Sequence, residues 1–283
     1  MRRLFPLLFA GLLMAAWLSA AAARAADVPD GARVWRDVPY GQAKAQRLDV
    51  YAPARAQGAP VILMVHGGAW VVGGKDGPGV TGRKMPHWLE AGYVFVSIDY
   101  RMLPAADPLE QARDAAAALA YVQRHAAEWG GDGGRVVLAG HSAGAHLVAL
   151  LAADPSLARE SGAASWLGAL SLDSAALDVP ELMAGPHLRL YDRAFGADPA
   201  FWARVSPLQQ LRTAPAPMLL VCSSQRIASC PASHAFAARV ERLGGSARVL
   251  PEPMTHAQIN ADLGAPGDYT REVDAFLHKL GLP

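Results

Sequence analysis

The run Arg135-Val136-Val137-Leu138-Ala139-Gly140-His141-Ser142-Ala143-Gly144-Ala145-His146-Leu147-Val148-Ala149-Leu150-Leu151-Ala152-Ala153 decides how the chain is read. It starts short and apolar, the pattern of a strand buried on both faces. It ends, from Ala143 to Ala153, in alanine and leucine, which favour helix. Between them Gly140-His141-Ser142-Ala143-Gly144 matches G-x-S-x-G. In a strand-turn-helix setting such a serine sits on a strained turn with its Oγ projecting above the sheet edge, and the flanking glycines let neighbouring elements pass close by. Ser142 is the candidate nucleophile. The N–H of Ala143, at the start of the helix, is a candidate donor to an anionic oxygen.

Working upstream, Val61-Ile62-Leu63-Met64-Val65 reads as a second buried strand running into His66-Gly67-Gly68-Ala69-Trp70. Two consecutive glycines after a buried strand can turn N–H groups inward without Cβ clashes. Gly67 and Gly68 are therefore the candidate partners of Ala143 in an oxyanion hole. Further strands are read at Ala32 to Val38, Gln46 to Tyr51 and Tyr93 to Ile98, with helices around Lys84 to Ala91 and Asp107 to His125. Downstream, strands are read at Trp166 to Leu172, Pro217 to Cys222 and Ala247 to Leu250, and helices at Ser233 to Leu243 and Asp268 to Leu280. Val179 to Leu211 is read as irregular, with prolines, glycines and aromatics suited to a small cap. Pro251 to Asn260 is read as a loop. Strands alternating with helices imply an α/β class, a mostly parallel sheet covered on both faces, with reactive groups at the carboxyl ends of the strands.

A serine hydroxyl needs an adjacent base. Of the histidines after Ser142, His146 lies on the nucleophile helix, His187 in the cap, and His234 and His278 on helices. Only His256 follows the last strand directly, which makes it the candidate base; His141 is read as lining the elbow.

Composition narrows the rest. In 283 residues 52% are apolar, enough for one substantial core, and the net charge of +1 leaves no footprint for nucleic acid. Met1-Arg2-Arg3, the apolar run Leu4 to Leu18 and Ala23-Arg24-Ala25 have the form of an export signal with its cleavage site, too short for a comfortable membrane span. The expected layout is a signal peptide over residues 1–25 and one domain over 26–283, with the cap at 179–211. The mature chain would start near Ala26, be periplasmic or secreted, and not be held to a membrane. Cys222 and Cys230 are spaced for a small loop staple, which suits an oxidising compartment; two unpaired buried thiols is the other reading. No matching histidine pair suggests a metal site.

Taken together, His66-Gly-Gly-Ala-Trp70, Asp99-Tyr-Arg101 and Gly140-His-Ser-Ala-Gly144 resemble the α/β-hydrolase superfamily. More narrowly they are similar to the hormone-sensitive-lipase-like carboxylesterases and the bacterial feruloyl/acetyl-xylan-esterase-like group. The resemblance implies an eight-stranded sheet, Ser142 and His256 as catalytic residues, Gly67, Gly68 and Ala143 as the oxyanion hole, and no cofactor or metal. The implied partner is a small-molecule ester, with no nucleic acid; oligomeric state stays open. His-Gly-Gly-x-Trp also resembles the arylformamidases, so an amide-cleaving relative is one alternative.

The pattern breaks at the acid, which in this superfamily normally follows the seventh strand. Here that position holds Ser223-Ser-Gln-Arg-Ile-Ala-Ser-Cys230, without a carboxylate. Asp173 and Asp178, after the sixth strand, are the substitutes, with Asp173 nearer the strand tip and preferred. Loss of only the orienting acid costs on the order of 10⁴ in turnover in a well-studied protease while residual catalysis persists. A chain without it would be a slow esterase or a non-catalytic binding relative, and the second is the other alternative. The expected activity is hydrolysis of carboxylic esters with short acyl groups through a Ser-His acyl-enzyme.

Overall fold

The computed structural model describes residues 28–283, so the export signal expected over residues 1–25 and the start near Ala26 lie outside the described residues. Among the described residues eight strands form a single sheet: β1 (Arg33–Pro39), β2 (Arg47–Ala52), β3 (Ala59–Val65), β4 (Val94–Ile98), β5 (Gly131–His141), β6 (Gly168–Leu172), β7 (Met218–Ser223) and β8 (Ala247–Glu252). Their spatial order is β1-β2-β4-β3-β5-β6-β7-β8. β2 runs antiparallel to β1 and β4, and every pair from β4 to β8 is parallel. The order of strands reverses at β3, which has β4 on one side and β5 on the other. In open α/β sheets such a switch point opens a crevice beyond the carboxyl ends.

Register lines up the ends of the strands at that crevice. Val65 pairs with Gly140, His141 with Leu172, Leu172 with Val221, and Ser223 with Glu252. Residues immediately after four of these strands are thereby delivered to one rim.

The helices are α1 (Pro78–Thr81), α2 (Lys84–Glu90), α3 (Pro108–His125), α4 (Ala143–Ala153), α5 (Ser156–Glu160), α6 (Val179–Ala184), α7 (Arg189–Phe195), α8 (Pro199–Arg204), α9 (Pro207–Gln210), α10 (Ser229–Arg242), α11 (His256–Ala261) and α12 (Asp268–Lys279). β3 and β4 are buried along their whole lengths because both faces are covered. Alternation along β3 feeds two cores. Val61, Leu63 and Val65 pack with residues of α3, α4 and α10 on one face, whereas Ile62 and Met64 pack with α2, α11 and α12 on the other. All eleven residues of α4 are buried, as expected for a helix apolar all round.

Two readings are corrected. The segment 179–211 is not irregular: it holds the four short helices α6 to α9, three of them with a proline in the first turn where its missing N–H costs nothing. The stretch from Pro251 to Asn260 is not a loop throughout: β8 runs to Glu252, and His256 opens α11 behind a capping box of Thr255 and Gln258.

The elbow glycines have steric causes. A Cβ on Gly144 would lie 2.2 Å from the Val65 carbonyl oxygen, and one on Gly140 would lie 2.3 Å from that of Gly144. Gly144→Ala is therefore expected to force β3 and α4 apart, at a cost of about 1–3 kcal/mol from overpacking. Thermal unfolding checks this: the melting temperature should fall by several degrees, and an unchanged value would mean that the close approach is dispensable.

Candidate active site

Ser142 joins β5 to α4 with φ 57° and ψ −117°, a conformation that L side chains rarely adopt. Its N–H donates to the Leu172 carbonyl at 2.9 Å and its carbonyl accepts from His146 N–H at 3.1 Å, so the main chain is tied on both sides. Its side chain does not cap α4.

The loop after β3 packs directly on this elbow. A Cβ on Gly67 would lie 2.9 Å from Ser142 Cβ and from the His141 carbonyl oxygen, so only glycine brings that backbone so near. Gly68 has φ +125°, and Ala69 and Trp70 also take positive φ. Several bonds hold the strained loop. The Trp70 carbonyl accepts from Leu103 N–H at 2.9 Å and from Gln111 Nε2 at 3.0 Å. At its far end Lys75 N–H donates to Asp99 Oδ1 at 2.7 Å, while Lys75 Nζ pairs with Asp37 at 2.8 Å and Asp49 at 3.1 Å. Ala143 opens α4, where first-turn N–H groups have no partner within the helix. Of the three candidate oxyanion donors, Gly67 and Ala143 thus adjoin Ser142, and Gly68 follows Gly67 in the same loop.

Asp173 directly follows β6, at φ 60°, with its N–H bound to the Val221 carbonyl at 2.8 Å. Its carboxylate is fully buried, and Oδ2 lies 2.5 Å from His256 Nδ1. An acid at the end of the sixth strand was expected to approach His256 from a neighbouring strand end, and the fold brings Asp173 and His256 together. Asp178, the substitute considered beside it, instead precedes α6 and accepts from Gln209 at 3.3 Å.

The supporting groups were not foreseen. Oδ1 of Asp173 accepts from Ser223 N–H at 2.8 Å and from the Ser229 hydroxyl, and Oδ2 accepts from Arg226 Nη1 at 2.7 Å. Arg226 Nη1 also lies 3.1 Å from His256 Nδ1. Burial pushes the Asp173 carboxyl up, but the bonds from His256, Ser229 and Ser223 and the charge of Arg226 outweigh it and hold the group well below the usual carboxylate range. All three donors come from residues 223–229, which the Cys222–Cys230 disulfide closes into a loop. The segment lacking an acid supplies the donors that let an acid be buried one strand away. Its serines and arginine were the available signal.

His141 proves to be more than a lining of the elbow. Burial, with the charges of His256 and Lys84, pushes its pKa down to about 3, so the ring is neutral. Its Nε2 lies 3.0 Å from the His256 carbonyl oxygen, which as an acceptor requires the proton on Nε2, and the two rings are 4.4 Å apart. The residue before Ser142 therefore holds the backbone of the candidate base. His146 is packing with a polar purpose. Burial pushes it down to about 4; Trp70 Nε1 donates to its Nδ1 at 3.2 Å, leaving Nε2 to donate to the Val205 carbonyl at 2.7 Å. That ring links the glycine loop to the cap. Of the remaining candidates, His187 pairs with Asp192 on the exposed side of the cap. Among the described residues no cluster of three or more histidine, cysteine or acidic side chains could hold a metal ion.

Comparison with known proteins finds relatives of this chain. The BD-FAE family model matches residues 48–167, a stretch that takes in Gly67, Gly68, Ser142 and Ala143 and stops short of Asp173 and His256. The chain is 38% identical over 117 residues to a probable isoprenylcysteine alpha-carbonyl methylesterase of Arabidopsis thaliana, covering 41% of this chain and 24% of that protein. It is 30% identical over 250 residues to esterase LipQ of Mycobacterium tuberculosis, covering 81% of this chain and 58% of that protein. The chain thus spans about a quarter of the plant relative and little more than half of the mycobacterial one. Among solved structures, esterase B of Lactobacillus rhamnosis superposes with a TM-score of 0.73 at 20% identity, over 90% of this chain and 87% of that one, a likeness of fold.

The buried carboxylate gives a pH prediction. Asp173 is held below its unfolded value, so its contribution to stability is present above the ordinary carboxylate range and is lost as pH falls through the folded value. Arg226→Met removes one of the groups that lower it and should move the acid-unfolding midpoint to higher pH. A midpoint unchanged in a circular-dichroism titration would mean that Arg226 does not stabilise the carboxylate.

Proposed function

We propose that the protein, which has the α/β-hydrolase fold and matches the BD-FAE family model over residues 48–167, is a serine carboxylesterase. Ser142 Oγ attacks the ester carbonyl as His256 Nε2 takes its proton. The charge developing on the carbonyl oxygen is held by N–H groups of Gly67, Gly68 and Ala143. His256 then protonates the leaving alcohol, and water, activated by the same imidazole, releases the acid. Asp173 keeps the proton of His256 on Nδ1, leaving Nε2 free to accept, and steadies the imidazolium that forms.

The observation that carries this reading is the 2.5 Å contact between Asp173 and His256. The want of an acid after the seventh strand was the ground for the non-catalytic alternative, and the place of Asp173 beside His256 supports the catalytic reading instead. Names of the relatives support the ester class: a methylesterase, an esterase and a carboxylic ester hydrolase are among them.

A short acyl group is favoured because aromatic side chains already fill the space beneath the cap. Trp70 packs 4.9 Å from Phe195 and 6.0 Å from Tyr191. Export is favoured by the basic and apolar start of the chain and by the Cys222–Cys230 disulfide, a bond that persists in oxidising compartments.

A fluorophosphonate probe tests the mechanism, because it labels only an activated serine. Labelling should fall on the Ser142 peptide and disappear in Ser142→Ala. On p-nitrophenyl esters, kcat/KM should peak at acetate to butyrate and fall with longer chains. An unlabelled, folded protein would reject the hydrolase reading; a peak at long chains would reject only the short-acyl part.

A further inference from the structure

Lys84, at the start of α2, is a lysine with 1% of its surface exposed. The other buried residues of that helix are Met85, Trp88 and Leu89, all apolar. Burying an ammonium among them is costly unless every proton finds an acceptor. Each does: Nζ donates to the Gly79 carbonyl at 2.7 Å, to Asn260 Oδ1 at 3.0 Å and to the Asn260 carbonyl. Two of the three acceptors thus belong to one residue of α11.

Asn260 stands one turn after His256 on a helix of six residues, too short to be stable by itself. Such a helix leaves its last carbonyls without partners. Here the Gln258 carbonyl accepts from Asp262 N–H at 2.8 Å, that of Ile259 from the Tyr269 hydroxyl at 2.9 Å, and that of Asn260 from Lys84. The other end is fixed by the Thr255–Gln258 capping box and by His141 on the His256 carbonyl. Packing adds to the grip. A Cβ on Gly79 would lie 2.8 Å from Asn260 Nδ2, and one on Gly264 would lie 2.4 Å from the Arg83 carbonyl oxygen. The chain on both sides of Lys84 is pressed against α11 and the turn that follows it.

We propose that Lys84 is a positioning residue for the esterase reaction: by gripping the C-terminal turn of α11 it holds the His256 imidazole in line with Asp173. The proposal rests on His256 being the base. Lys84 touches neither substrate nor reacting atoms, and acts only through the helix that His256 opens. An apolar side chain of equal length would fill the same space but would free the Asn260 carbonyl and let α11 shift. A displacement of about 1 Å in a catalytic group can cost a hundredfold in rate.

The test compares Lys84→Met with Met85→Ala, a loss of core on the same helix that removes no clamp. For Lys84→Met, kcat on a short p-nitrophenyl ester should fall about tenfold to a hundredfold with KM little changed. The downfield Nδ1 proton resonance of His256, a mark of its bond to Asp173, should broaden or vanish. Met85→Ala should melt at a lower temperature yet keep kcat and the resonance. Asn260→Ala, which removes one acceptor, should lower kcat severalfold and stands in if Lys84→Met does not fold. Wild-type kcat and an unaltered resonance in a folded Lys84→Met, or in Asn260→Ala if that is the only folded variant, would overturn the proposal. If the wild type hydrolyses no ester, the function fails while the resonance still scores the clamp.

Discussion

The site depends on a buried carboxylate being kept ionised. Asp173 has no access to water, and an isolated charge there would be neutralised by taking up a proton. Four donors prevent this: His256, Arg226, the Ser229 hydroxyl and Ser223 N–H. Three of them come from a single short loop closed by a disulfide. The acid has in effect exchanged places with its support. A carboxylate after β6 faces His256, and the loop after β7, the customary place for an acid in the superfamily that the motifs resemble, donates to it.

Parallel register is what makes that exchange workable. Leu172 pairs with Val221, so the residues that follow β6 and β7 emerge side by side and either can reach the turn beyond β8. The same alignment puts His141 against Leu172 and lets Ser142 N–H bond to the Leu172 carbonyl. Backbone strain then gathers where function would need it. Among the described residues only five other than glycine have positive φ; four of them are Ala69, Trp70, Ser142 and Asp173, all in the candidate site. Cores on both faces of the sheet supply the rigidity that holds these conformations.

Much of this was legible from local pattern. The apolar run before Ser142 and the alanine-leucine run after it set strand, turn and helix, and the paired glycines marked a close backbone approach. Asp173 was legible only as the carboxylate nearest a strand tip, because which tips adjoin is a property of the sheet and not of the chain. The helices of the cap escaped notice since each is four to seven residues long and owes its existence to a proline or cap at one end and packing on one side. The helix of His256 did leave a sign, Thr255-x-x-Gln258, that the apolar pattern overshadowed. Lys84 left none. A lone lysine reads as surface, and only tertiary packing reveals three oxygens around its ammonium.

The most direct measurement is the turnover of Asp173→Asn on a short p-nitrophenyl ester, with folding followed by melting temperature. With the acid directly after β6, kcat should fall by about 10³ to 10⁴ while the fold persists, since an amide cannot hold the imidazole in the right tautomer. A folded variant that keeps kcat within about tenfold of the wild type would contradict the account, because the acid that orients His256 would then have to lie elsewhere.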